Sequence, residues 1–144
     1  MTTELASIIE RELNKLADEI RAFRQEENLW KTTGKISNPA GNLCLHLIGN
    51  LSTYVGAILG NTGYVRDRDA EFSQKGIPKE VLLQQIEDIK TVVTHTILQL
   101  TEERLLEPFP QPILGYEMTT GFFLTHLYGH LSYHLGQINY LRRV

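Results

Sequence analysis

The stretch at residues 126–137, "HLYGHLSYHLGQ", sets three of the chain's five histidines four residues apart among leucines. That spacing is helical. At 3.6 residues per turn, Phe123, Leu127, Leu131, Leu135, Ile138 and Leu141 make one apolar stripe. With Leu127 at zero, the stripe spans about −40° to +80°. His134 projects at about −20°, inside it, His130 at about −60°, on its edge, and His126 at about −100°, on its flank. Two imidazoles therefore stand where a helical core takes leucine. A buried polar group without a partner costs ~1–3 kcal/mol, so these rings need partners.

Each ring either bonds an ordinary polar neighbour or shares a metal ion. Histidines at i and i+4 aim at one point, as in the helical pair of zinc proteases. The outer two lie ~12 Å apart along the axis, against metal–nitrogen bonds of ~2.0–2.1 Å. The natural pair is therefore His130 with His134. His126 is left to orient or face a ligand, or to sit half-exposed on the flank.

Other segments read as helices too. Residues 3–27 carry Leu5, Ile9, Leu13, Leu16, Ile20 and Phe23 at three-four spacing. A connector with Trp30 and Gly34 follows. "SNPAGN" (37–42) then starts a second helix, with Asn38 as cap and Pro39 at the first helical position, running to Gly60. Residues 61–77 read as a long polar loop. A third helix opens near Pro78 and runs to about residue 103, with Leu82, Ile86, Ile89, Val93, Ile97 and Leu100 on one face. "EPFPQPILGYE" (107–117) holds three prolines and is extended. Thr119 or Thr120 caps the last helix. With no strand signal, the expectation is one all-α domain over residues 1–144, a four-helix bundle with a long loop between helices two and three.

The second and fourth helices share a pattern. "HLIGNLSTYVGAI" (46–58) aligns without gaps on "HLYGHLSYHLGQI" (126–138). Mid-helix glycine costs ~1 kcal/mol against alanine, so Gly49, Ser52 and Gly56, with Gly129, Ser132 and Gly136, suggest faces for close helix packing. Such packing is either between two subunits or within one bundle.

A third metal ligand must come from another helix. His46 flanks the stripe of helix two, and Asn50 follows it one turn later on the same edge. His95 shares the polar side of helix three with Gln84, Asp88 and Gln99, so it belongs on the surface. His46, His130 and His134 then make a set of neutral nitrogens, suited to zinc or nickel rather than magnesium or calcium. Three histidines leave a coordination position open. No Glu-x-x-His occurs, which excludes the usual di-iron bundle. Ser52 and Ser132 stand away from the histidines, so a catalytic serine is not expected.

Composition narrows the rest. The net charge is −3 and Lys and Arg are nowhere concentrated, so nucleic acid is not an expected partner. No apolar run reads as a membrane span of ~20 residues. One cysteine, Cys44, permits no internal disulfide and suits a reducing cytoplasm; it reads as a core thiol.

Together "NPAGNLCLHLIGNL", a loop with "RDRDAEF" and "GHLSYHLGQINYLRR" resemble the DinB-like superfamily of four-helix bundles over nearly the whole chain. The resemblance implies that His46, His130 and His134 hold a divalent ion, usually zinc or nickel. It also implies a homodimer and the chemistry of a metal-dependent thiol S-transferase, isomerase or hydrolase. Relatives include bacillithiol and mycothiol S-transferases, so a low-molecular-weight thiol is the implied cofactor and a small electrophile the implied substrate. Relatives often carry Arg after the last ligand; Leu135 stands there in this chain. Arg66, Arg68 and Glu71 match a motif of one branch, which implies either substrate binding near the metal or an ion-pair network fixing the loop.

Transferase chemistry ranks above hydrolysis, because no acidic residue sits on the histidine-bearing faces to serve as general base. The alternative is a non-catalytic, metal-stabilised dimer, with Glu71 or Glu117 closing the site as a fourth ligand.

Overall fold

The computed structural model describes residues 1–144 and is all-helical, with six α-helices and no strands. α1 (Thr2–Ala22), α2 (Ala40–Leu51), α4 (Lys79–Gln99) and α6 (Thr120–Arg143) are the long ones. α3 (Arg68–Ser73) and α5 (Glu102–Leu106) are short. α1 packs on α4 and α6, and α2 packs on the same two. The apolar stripes explain this: Leu5, Ile9, Leu13, Leu16 and Ile20 of α1, and Leu82, Ile86, Val93 and Ile97 of α4, are all buried in one core. Leu127, Leu131, Leu135 and Ile138 join them from α6.

The expected boundaries shift where capping or packing overrides periodicity. α1 stops at Ala22 instead of residue 27, because extended Phe23 and then Leu29, in a 3₁₀ turn at Glu26–Trp30, are both drawn into the core. Lys79 Nζ donates to the carbonyls of Arg21 and Phe23, which satisfies that helix end. Pro39 occupies the cap position with ψ 158°, so the helix starts one residue later than expected, and Asn38 contributes no capping bond.

The expected long loop contains α3. Its N-cap is Asp67, whose side chain accepts from the Ala70 N–H at 3.1 Å. The expected third helix breaks at Leu100 and resumes as α5, because Thr101 accepts from the Arg104 N–H at 3.0 Å and starts a new cap. Thr119 caps α6 in the same way, through Phe122 N–H.

α2 does not run as an α-helix to Gly60. From Ser52 to Leu59 it widens into a π-helical segment. There the Gly60 N–H reaches the Val55 carbonyl, five residues back. A uniform 100° projection therefore holds for Ala40–Leu51 and fails beyond it. The joined stretch Ala40–Leu59 is long and apolar enough by composition to cross a membrane, contrary to expectation, but most of it is buried against this chain's other helices.

A candidate metal centre

His46 comes from the middle of α2, and His130 and His134 come from successive turns of α6, the helix packed against it. Their ligand atoms all lie within 4.8 Å of one another. The Nε2 atoms of His46 and His130 are 3.2 Å apart. Three nitrogens sharing an ion at ~2.1 Å can be no more than about 4.2 Å apart, so a small side-chain adjustment closes the set. Neutral nitrogens in a partly buried site fit a borderline divalent ion.

The bonds made by the far sides of two rings support this use. His46 Nδ1 sits 3.0 Å from Glu71 Oε1, so Nδ1–H donates to the carboxylate and Nε2 keeps its lone pair. His134 Nδ1 is 2.7 Å from Gln137 Oε1, which fixes that ring the same way. Orientation by a carboxylate or amide on the far nitrogen is how proteins hold metal-binding imidazoles. Gln137 ends the stretch 126–137 quoted above, and its three-residue offset from His134 places it on the same helical face. His130 Nδ1 is buried without a protein partner, as is Asn50 Oδ1.

Charge follows from these surroundings. Burial, then the neighbouring His134 and His46, pushes His130 from 6.5 down to about 4. Burial also lowers His46, and the hydrogen bond to Glu71 opposes that shift. His130 is therefore an uncharged donor at neutral pH.

Glu71 is held from four sides. Arg66 donates Nε to Oε2 at 2.9 Å and Nη2 to Oε1 at 3.0 Å, a two-pronged clamp. Burial works against the Arg66 charge, but the bond to Glu71 outweighs it and raises the guanidinium above its ordinary value. Asn42, one turn before His46, donates Nδ2 to the carbonyls of Glu71 and Gln74, both at 2.9 Å, and so ties α3 to α2. Gly49 completes the seat. A Cβ there would fall 1.9 Å from Glu71 Oε2, so only glycine leaves room for the carboxylate. Asn42, His46 and Gly49 form an i, i+4, i+7 stripe, and that stripe is where α3 docks.

The other expected site residues separate. Arg66 and Glu71 belong to the histidine network, whereas Arg68 lies over the Phe72 ring, its Cζ 5.4 Å from the centroid. His126 is exposed and stacks on Phe123 at 18° with 5.8 Å between centroids. Asn50 is buried, and His95 is exposed as expected. Glu117 is exposed and stands outside the histidine group, and Glu71 faces His46 Nδ1, so neither closes the set as a fourth ligand. Cys44 is fully buried, and its burial pushes the thiol up to about 12. Asn42 and Gly49 as the seat of α3 escaped the sequence, because α3 itself was expected to be loop.

An all-helical chain with a converged three-histidine group that could hold a metal ion is the class these observations define. The chain belongs to the family described as "Protein of unknown function (DUF1572)", whose model matches residues 4–144. No curated protein matches the sequence.

Proposed function

We propose that this protein is a metal-dependent thiol S-transferase on a DinB-like four-helix bundle, with His46, His130 and His134 holding zinc or nickel. The observation that carries the reading is the set of converging, back-braced imidazoles: Nε2 to Nε2 at 3.2 Å, with Glu71 and Gln137 on the far nitrogens. A divalent ion bound there would supply positive charge that keeps a thiol ionised at neutral pH. The histidines bring no charge to offset it. Thiol transfer is favoured over hydrolysis because Glu71, the carboxylate touching the group, is committed to Arg66 and His46 and is not free to take a proton from water. A homodimer is part of the same proposal, as is a small thiol as co-substrate.

Two measurements test it. Elemental analysis should find about one divalent ion per chain, and little in His134→Ala. Cobalt-substituted protein titrated with low-molecular-weight thiols should develop a sulfur-to-metal charge-transfer band. No band with any candidate thiol overturns the transferase reading. Strong stabilisation by metal without an exchangeable position would instead point to a structural site.

A further inference from the structure

On the outer side of His134 lies a cavity of about 490 Å³, within the range of small-molecule sites. The rings of Tyr133 and Tyr140 and the side chains of Leu43 and Leu141 form its apolar walls, and His134 and Gln137 line it as well. One imidazole thus takes part in both the histidine group and the cavity. Tyr133 and Tyr140 stand seven residues apart on α6, two turns along one face, and are 65% and 70% exposed. Large aromatic rings held open to water around a concavity are suited to stacking on a flat apolar guest.

The polar signal is one-sided. Lys35 is the only charged side chain in the lining. Arg143 adds a second cation at the edge, its Cζ 4.7 Å from the Tyr140 ring centroid and its guanidinium bonded only to Asn139. Val144, on the rim, is 79% exposed, so a terminal carboxylate there would be hydrated and screened.

We propose that this cavity is the acceptor subsite, and that it takes an aromatic or branched-aliphatic carboxylate: apolar body against Tyr133 and Tyr140, anionic group toward Lys35. The proposal rests on the transferase reading and deepens it by naming the acceptor's class. The carboxylate is its handle, and the reacting part is an activated double bond elsewhere on the guest. The thiol's sulfur adds to that bond while its proton passes to the neighbouring carbon, so that nothing leaves. The proposal predicts selection by charge as well as by shape, since a neutral or cationic guest of equal size forgoes the contact with Lys35.

The test is calorimetric titration of the full chain, with and without zinc chloride, using 2-naphthoate, 2-naphthamide and 2-naphthylmethylammonium. Naphthoate should bind best and the cation worst. Lys35→Gln should weaken naphthoate about threefold and leave naphthamide unchanged. Tyr140→Ala, at an exposed position, should weaken both by up to about tenfold. No naphthoate binding, equal binding of the cation, or indifference to both substitutions overturns the proposal. Zinc uptake in the same samples reads the histidines separately. Zinc without naphthoate removes the subsite and keeps the metal centre; naphthoate without zinc does the reverse.

Discussion

Residues 46–58 and 126–138 carry nearly the same pattern and meet opposite fates. In the first copy the small-residue face is filled: Glu71 enters the notch at Gly49 of α2, and Thr62 and Val92 lie 3.4 Å from where a Cβ on Gly56, in the π-helical segment, would stand. In α6 nothing lies within 4 Å of such an atom at Gly129 or Gly136. The histidines diverge as well. His46 is braced and buried, while its counterpart His126 is exposed. The α6 members of the histidine group, His130 and His134, instead align with Asn50 and Tyr54. A shared sequence pattern therefore marks neither a shared helix type, since 52–58 is π-helical and 132–138 is α-helical, nor a duplicated site. What surrounds each copy decides its chemistry.

Several substitutions would break or sharpen that contrast. The largest effect is expected at Glu71. Glu71→Ala leaves the Arg66 guanidinium without its partner in a mostly buried place, a loss of about 3 kcal/mol or more. Metal affinity should fall 10–100-fold with the brace on His46 gone, by the order seen when such orienting groups are removed. His126→Ala, at the matching end of the other copy, should stay within about 0.5 kcal/mol and keep its metal. Urea denaturation with metal titration reads both. Equal losses would end the contrast.

The glycines come next. Gly49→Ala drives a methyl into the Glu71 carboxylate and should cost about 1–3 kcal/mol. Gly129→Ala should gain about 0.5–1 kcal/mol, because an open mid-helix position simply becomes a better helix former. Thermal melts of the two variants should move in opposite directions. A loss at Gly129 that depends on protein concentration would instead show a second chain covering α6.

A third contrast is with pH. His46 is partly supported in its charged form by Glu71, whereas His130 has no carboxylate and drops to about 4. An unfolded chain takes up a proton at such a ring near 6.5, so between 6.5 and about 4 unfolding is proton-consuming. Metal-free protein should therefore hold its full stability above about pH 6.5 and lose it progressively on acidification. His130→Asn should show a shallower decline in melting temperature over that window. The same slope in both proteins would remove His130 as its source.

Much of this was legible in the sequence, for physical reasons. The stripes of α1, α4 and α6 are long and regular enough that a 3.6-residue period fixes their buried faces. The same projection put His46, His130 and His134 together, because ligands on long helices inherit the helix's regularity. What failed lay where a short-range bond beats the period. Asp67 and Thr101 each cap a helix of five or six residues, too short to show periodicity, and the π-helical turn after Leu51 rotates every later side chain. Glu71 was visible as a residue of interest but not as the brace of His46. That contact spans 25 residues and depends on a missing Cβ at Gly49.

The burial of Cys44 has a practical consequence for a protein proposed to carry out sulfur chemistry. Its single thiol lies two positions from a proposed ligand, yet it is sealed from water and held protonated, so it competes for neither ion nor electrophile. Alkylating reagents should leave the native chain unlabelled, giving transfer assays no background from the protein itself. Once the fold opens, the same reagents would mark this one atom, so mass-shifted molecules would count unfolded ones directly.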